Sequence, residues 1–326
     1  MKIVVLDGYT LNPGDLSWEP LLELGEVVIY DRTSREDLFL RASEADILIT
    51  NKTPLKRELI EQLPKLKYIG VLATGYNIVD VEAAREYNIT VTNVPTYGTK
   101  AVAQFVFAHL LEICHHVGEH SKSVREGKWN RQEDFCYWDK PLIELDGKVM
   151  GIIGTGRIGM ETAKIAKSFG MTVVAYRREN GRRHEPIESH EDEAEALFNY
   201  LPPNEFFAVS DVISLHCPLT EENRGMLNAS AFNMMKTGVI IINTARGPLI
   251  DEIALAAALK NGKVYAAGLD VLSKEPPIEP SPLYAFEQCN ITPHIAWAPL
   301  ASRNRLLGIA IDNLKAFMAG RVKNTV

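Results

Sequence analysis

The chain has 326 residues, 46% of them hydrophobic and 24% charged, a balance suited to two globular domains of ordinary size. Its formal net charge of −7 argues against nucleic acid as a general partner, because binding phosphate needs a basic surface. No apolar run approaches a membrane span, so no membrane partner is expected. The apolar part of MKIVVLDGY is too short for a signal peptide. Four scattered cysteines (Cys114, Cys136, Cys217, Cys289) without C-x-x-C spacing fit reduced thiols in the cytoplasm.

The first hundred residues alternate between two signals. Apolar runs at Lys2–Leu6, Val27–Tyr30, Asp46–Thr50, Tyr68–Leu72 and Thr90–Asn93 read as strands. Stretches with helical spacing lie between them, at Arg35–Ala42, Lys56–Gln62 and Asp80–Tyr87. This alternation predicts a parallel sheet with helices on both faces. The turn Ala73-Thr74-Gly75-Tyr76-Asn77 follows a strand, so its N–H groups either face a cleft or belong to a plain strand-to-helix turn.

Thr99 is placed to cap a helix over Ala101–His116, whose sequence is apolar on nearly every side and predicts burial all round, between domains or at a subunit interface. His115, His116 and His120 follow, without the Glu of a zinc helix motif or supporting cysteines, so no metal is expected. A polar helix is expected over Ser121–Lys128. The loop-like run after it carries Trp129, Phe135, Tyr137 and Trp138, which suit a core plug, a substrate lid or an interface anchor.

The run Lys148–Asn180 organises the rest. An apolar strand, Val149–Ile153, enters Gly154-Thr-Gly156-Arg157-Ile158-Gly159; a helical pattern, a stop at Gly170 and a second strand, Thr172–Tyr176, follow. In that context G-x-G-x-x-G is a dinucleotide fingerprint. Gly154 permits the tight turn, Gly156 lets backbone approach a pyrophosphate, and Gly159 lets helix and strand pack closely. The helix start at Arg157 and Ile158 offers N–H groups and a positive dipole end to phosphate. After the second strand an NAD site usually has Asp or Glu; here Arg177 and Arg178 stand, which suits a 2′-phosphate and favours NADP(H). NAD(H) stays open, with Glu179 two residues on to serve the ribose.

Gly181–Phe207 is polar, and Glu188–Glu195 reads as a solvated helix face or loop. Strands are expected at Val212–His216, Val239–Asn243, Ala266–Leu269 and Asn290–Thr292, making six from Lys148 onward. Glu252–Asn261 is a helix stopped by Gly262. The amphipathic helix Ala301–Met318 has no strand of its own to pair with, and is expected to return to the first domain.

In open parallel sheets, ligands bind beyond the carboxyl ends of the strands. Arg246, Glu275 and His294 each follow one of the last three strands. Reducing a carbonyl by hydride transfer needs a proton donor, a cation for a substrate carboxylate and a fixed orientation. An imidazole can donate the proton, a carboxylate can hold it and favour its charged form, and a guanidinium can clamp the substrate. Asp270 suits the nicotinamide amide.

The segments NTARGPLID (Asn243–Asp251), GLDVLSKEPP (Gly268–Pro277) and ITPHIAWAP (Ile291–Pro299), with GTGRIG, resemble the motifs of the D-isomer-specific 2-hydroxyacid dehydrogenases. The resemblance implies an α/β fold of two doubly wound parallel-sheet domains. A Rossmann NAD(P) domain, residues 99–295, is inserted into a discontinuous flavodoxin-like substrate domain, residues 1–98 and 296–326. It implies a homodimer, with Arg246 on the substrate, His294 as acid and base, Glu275 on the histidine, and backbone at Ala73, Thr74 and Gly75 on the substrate carboxylate. Further candidate nucleotide contacts are Cys217, Thr244, Ala245, Asp270, His294 and Ala296.

Within the family, ATGYNIVD (Ala73–Asp80) and CYWDKPLIEL (Cys136–Leu145) are similar to glycerate dehydrogenases that act as hydroxypyruvate reductases, which would bring Trp138 to an active site, its own or a partner's. The implied reaction reduces hydroxypyruvate or glyoxylate to D-glycerate or glycolate. A D-lactate-type reductase is the alternative. A non-enzymatic NAD(H)-sensing protein on the same fold is a further one, against which the intact Arg246, Glu275 and His294 argue. The chain departs from the common pattern at Arg177, at Gln104 (where many members have Glu) and in the longer polar segment after Asn180.

Overall fold

The computed structural model describes residues 1–176 and 197–326. Arg177, Arg178, Glu179 and the acidic run 188–195 lie outside the described residues. The chain forms two compact units, Met1–Gly98 with Trp297–Val326, and Thr99–Ala296.

The first unit is built on five parallel strands: β1 (Lys2–Val5), β2 (Glu26–Ile29), β3 (Ile47–Thr50), β4 (Tyr68–Val71) and β5 (Thr90–Thr92), in the order β2-β1-β3-β4-β5. Every residue of β3 and β4 is buried, as near-continuous apolar runs require when both faces of a sheet are covered. Strand order reverses between β1 and β3. Part of the cover comes from the end of the chain. Leu306, Leu307, Ile311 and Leu314 of the helix Leu300–Met318 share a core with Ile3, Val5, Ile47 and Tyr68. Polar groups hold the same helix in place. Arg303 donates to both carboxylate oxygens of Asp15, at 2.7 and 2.6 Å, and to the Leu11 carbonyl at 2.8 Å. Asn313 donates to the Asn93 carbonyl at 2.9 Å.

Among the described residues the second unit carries seven parallel strands: β6 (Val149–Ile153), β7 (Thr172–Tyr176), β8 (Asn199–Leu201), β9 (Val212–Leu215), β10 (Val239–Asn243), β11 (Val264–Leu269) and β12 (Cys289–Ile291). Their order is β12-β11-β10-β9-β6-β7-β8. The six expected strands are therefore one short. The missing one, β8, is an edge strand of 3 residues with no fully buried position, so it shows no apolar period.

Alternation sorts the central strands between two cores. Val239, Ile241 and Ile213 face one side with Phe206, Phe232 and Leu255, which come from the helices Pro203–Val209, Ala229–Met234 and Glu252–Lys260. Ile240, Ile242 and Val212 face the other with Met160, Ala163 and Phe107, from the helices Arg157–Ser168 and Thr99–His115.

Two helix expectations need correction. Thr99 lies inside the helix Thr99–His115 rather than capping it, and burial is not complete, since Gln104 and Ala108 are exposed. The polar helix spans Val117–Arg125 rather than Ser121–Lys128, starting directly after His116, whose φ of +48° breaks the preceding helix. No helix among the described residues is long and apolar enough to cross a membrane.

Candidate active site

The glycine loop behaves as its spacing demands. Gly154 has φ +104°, and a β-carbon there would lie 2.6 Å from the Cys217 nitrogen, so the turn requires glycine twice over. At Gly159 a β-carbon would meet the Gly154 carbonyl oxygen at 2.0 Å, which shows how tightly helix and strand are pressed together. Gly156 is exposed and has nothing among the described residues within 4 Å of where a β-carbon would stand, leaving room for a ligand to approach backbone. Arg157 and Ile158, both half-buried, open the helix behind it. Tyr200 of β8 donates to Thr155 of the loop at 3.2 Å, a support that sequence reasoning missed along with its strand.

At the end of β9, His216 pairs with Ser214 at 2.9 Å, and burial drives its pKa down to about 3, so it is neutral at ordinary pH. Cys217 is buried in the core beside it, so its backbone rather than its thiol borders the glycine loop.

The end of β10 is stapled by Asn243. Its buried side chain accepts from the Ala245 N–H at 2.9 Å and donates to the Arg246 carbonyl at 2.9 Å. The staple turns Arg246 outward, where it is exposed and donates to the Ala245 carbonyl at 2.6 Å. Thr244 is 8% exposed, and its hydroxyl has no hydrogen-bond partner among the described residues. A buried polar group without a partner is costly and rare, so this one fits a group that receives a ligand. With the open approach at Gly156, it meets the demands of a nicotinamide dinucleotide along these strand ends.

Beyond β11 and β12 two loops interlock. Glu275 Oε2 accepts from His294 Nδ1 at 2.6 Å, and its Oε1 accepts from the Leu272 N–H at 2.9 Å. Partial burial works to raise the Glu275 pKa. The His294 hydrogen bond and charge, the Leu272 N–H and the Arg246 charge outweigh it and hold the carboxyl below its ordinary range. Arg246, Glu275 and His294 thus act on one another electrostatically, although the chain separates them widely.

Asp270, 1% exposed, points into the second loop. Its Oδ1 accepts from the Thr292 hydroxyl at 2.7 Å and the Ile295 N–H at 2.8 Å, and its Oδ2 accepts from the Ala296 N–H at 2.8 Å. The Asp270 carbonyl accepts from the His294 N–H at 2.9 Å. The loop wraps around this one carboxylate and carries His294 at φ +56°, an uncommon conformation for a residue with a side chain. Sequence reasoning directed Asp270 at a ligand; the structure adds that its carboxylate organises the loop. The Thr in T-P-H was the available sign of that partner.

Gly247 was also missed. A β-carbon on it would lie 2.0 Å from the Leu272 carbonyl carbon and oxygen and 2.5 Å from the Ser273 nitrogen. The Arg246 turn is therefore seated directly on the backbone that leads to Glu275.

The remaining candidates stand elsewhere. Ala73 is buried, Thr74 is exposed and Gly75 half-buried, all in the first unit after β4. That turn is tied down by the Thr74 hydroxyl donating to the Val94 carbonyl at 2.8 Å and by Asn93 donating to the Thr74 carbonyl at 2.8 Å. Trp138 is 63% exposed, and Trp129 and Phe135 of the same stretch are also exposed, at 50% and 88%. His120 uses both ring nitrogens locally, donating from Nδ1 to the His116 carbonyl at 2.9 Å and accepting the Asp139 N–H at 3.2 Å.

Residues 107–296 match the family described as "D-isomer specific 2-hydroxyacid dehydrogenase, NAD binding domain". The whole chain is 53% identical to a hydroxypyruvate reductase of Blautia hydrogenotrophica, covering 99% of that relative. Among solved structures, the apo form of D-lactate dehydrogenase from Escherichia coli superposes with a TM-score of 0.85 at 30% identity, covering 100% of both chains. An acyclic imino acid reductase solved with NADPH and D-Arg gives 0.83 at 29% identity, again over 100% of both. With the glycine loop, the Glu275–His294 pair and the Arg246 turn in place, this chain belongs to the D-isomer-specific 2-hydroxyacid dehydrogenase family.

Proposed function

We propose that the protein is an NAD(P)-dependent oxidoreductase that reduces small 2-oxoacids to D-2-hydroxyacids, with hydroxypyruvate, and glyoxylate beside it, as the preferred substrates. The observation that carries this reading is the 2.6 Å pair of Glu275 and His294 at the strand ends, within reach of the Arg246 charge. The likeness to a hydroxypyruvate reductase at 53% identity supports the substrate. When bound, the nicotinamide supplies a hydride to the carbonyl carbon.

The chain's own residues do the rest. Gly154, Gly156 and Gly159, with the helix start at Arg157 and Ile158, hold the pyrophosphate; Thr244, Ala245, Cys217 and Ala296 border the remainder. Arg246 clamps the substrate carboxylate and polarises the carbonyl, and backbone at Ala73, Thr74 and Gly75 is the further carboxylate contact. His294 gives a proton to the carbonyl oxygen. Its Nδ1 faces Glu275, so the proton leaves from Nε2. Glu275 fixes the ring and stabilises its charged form until the proton has gone.

NADP(H) is the preferred cofactor in this reading, because Arg177 and Arg178 replace the acid that would accept from a ribose hydroxyl. The solved relative holding NADPH supports it. The protein acts as a cytoplasmic homodimer; its cysteines form no disulfide, and Trp129, Phe135 and Trp138 offer exposed aromatic surface of the kind that anchors interfaces. Trp138 then serves an active site, its own or the partner's.

The test is a matrix of steady-state rates, NADH and NADPH against hydroxypyruvate and pyruvate. The reading expects the highest kcat/KM with NADPH and hydroxypyruvate. Faster pyruvate turnover would move the protein to the D-lactate type, and no turnover in any cell would leave a cofactor-sensing protein instead.

A further inference from the structure

His109 lies far from the chemistry in sequence and is buried inside the second unit, on the helix Thr99–His115. A structural histidine in that position is ordinarily replaceable by any apolar side chain. Its neighbours say otherwise. The imidazole is pressed against β11: a β-carbon on Gly268 would stand 2.6 Å from the His109 β-carbon and 2.8 Å from its Cγ. Phe105 meets the ring edge-on, with centroids 5.1 Å apart. The side chain is thus held in one orientation, and its Nε2 lies 3.1 Å from the Thr292 hydroxyl oxygen.

The direction of that hydrogen bond follows from its partner. Thr292 already donates its only hydroxyl proton to Asp270 Oδ1, at 2.7 Å. The hydroxyl oxygen can only accept from His109, so the tautomer with hydrogen on Nε2 is present. Burial lowers the His109 pKa against the opposing pull of the Asp270 charge, which keeps the ring neutral and the tautomer defined. His109, Thr292 and Asp270 form one directional chain. It ends on the N–H groups of Ile295 and Ala296, the two residues that directly follow His294 with its φ of +56°.

We propose that His109 is a positioning residue for catalysis, which holds the proton-donating His294 in register by orienting the Thr292 hydroxyl onto Asp270. The inference rests on the assignment of His294 as proton donor. Glu275 fixes the imidazole from its Nδ1 side, and the chain from His109 fixes the backbone that bears it. Without the Nε2 donor, the Thr292 hydroxyl is no longer directed, and the loop around Asp270 gains freedom where the geometry of proton delivery tolerates little.

The experiment compares His109→Leu, which keeps bulk and removes the donor, with His109→Gln, whose amide N–H can replace it, and Thr292→Val, which cuts the next link without touching the helix. For each, kcat and KM are measured with NADPH and hydroxypyruvate. Backbone hydrogen exchange at Ile295 and Ala296 is followed in the protein without substrate. His109→Leu and Thr292→Val are expected to lower kcat on the order of tenfold, to leave the KM for NADPH unchanged, and to speed exchange at both amides. His109→Gln recovers most of both losses. The double variant His109→Leu/Thr292→Val is no worse than Thr292→Val alone, because both act through one chain.

Wild-type kcat and exchange in His109→Leu would overturn the proposal, as would additive losses in the double variant. If His109→Leu does not fold, Thr292→Val decides: normal kcat and exchange there overturn it. An unmutated protein that reduces no 2-oxoacid defeats the assigned reaction instead. The exchange rates then still judge the chain, and unchanged exchange in Thr292→Val refutes it.

Discussion

Replacing Glu275 by Gln isolates what the carboxylate does for His294. The side chain keeps its size, so the loop need not repack. Two donors converge on the native carboxylate, His294 Nδ1 at 2.6 Å and the Leu272 N–H at 2.9 Å. An amide has one oxygen, so one of those donors must face an NH2 group instead. A hydrogen bond between charged groups contributes about 1.5–3 kcal/mol, more than a neutral one. Both side chains are 35% exposed, so solvent screening places the loss at the lower end. That corresponds to roughly a tenfold fall in kcat.

The pH dependence gives a second signature. The Glu275 pKa is depressed, so the paired carboxylate is present above its ordinary value of 4.5 and is lost as pH falls through the lowered one. Near neutral pH the native carboxylate is fully charged and paired with His294 Nδ1. In Glu275→Gln that charge is gone at every pH. The native rate should therefore fall on the acid side as the Glu275 carboxylate is protonated, a limb that Glu275→Gln lacks, while the KM for the nucleotide stays the same. A variant with unchanged kcat and an unchanged acid limb would show that Glu275 is a surface acid and that its contact with His294 has no part in the reaction.

His294→Ala is expected to lower turnover by about 10²–10⁴-fold, the range for losing a general acid, with nucleotide binding by fluorescence titration within a few-fold of normal. Arg246→Lys keeps the charge and loses the planar fork; its KM for hydroxypyruvate should rise on the order of tenfold at unchanged nucleotide affinity, read from steady-state kinetics. Gly247→Ala forces a methyl group to within 2.0 Å of the Leu272 backbone, which cannot rotate aside. Overpacking of this kind costs about 1–3 kcal/mol. The thermal midpoint should fall by several degrees, and activity should fall with it, because the Arg246 and Glu275 loops are prised apart.

What was legible in the sequence was whatever its neighbours in the chain encode. Strands β6 and β10 are apolar runs with sharp ends, and both match their expected bounds, Val149–Ile153 and Val239–Asn243. The glycine loop is a local device, so its spacing carried its meaning. Arg246, Glu275 and His294 were legible because each follows a strand end, and parallel sheets gather such ends on one side. The edge strand β8 escaped because Asn199–Leu201 relies on its pairing with β7 rather than on an apolar face. The part Asp270 plays in its loop was hidden for a related reason. An acid after a strand looks the same in sequence whether it faces a ligand or turns inward onto three donors from residues 292–296. Gly247 and His109 were invisible because their partners, Leu272 and Thr292, lie far along the chain.

These missed residues share a position beneath the chemistry, and that placement has a physical reason. The groups proposed to act on a substrate stay open to solvent: Arg246 is exposed, and Glu275 and His294 keep a third of their side-chain surface in solvent. Open side chains are poorly held by packing, so their geometry has to be imposed from the backbone that bears them. Asn243 does this for the Arg246 turn with one acceptor and one donor. Asp270 does it for the His294 loop, and the contact at Gly247 ties the first turn to the chain leading to Glu275. All three supports are buried, where hydrogen bonds are strong and misfits are expensive. The two layers should therefore fail differently. Changes among the exposed three remove chemistry from a folded protein, whereas changes among the buried supports reduce stability and chemistry together. A support variant that lost activity with its thermal midpoint intact would separate positioning from stability at that residue.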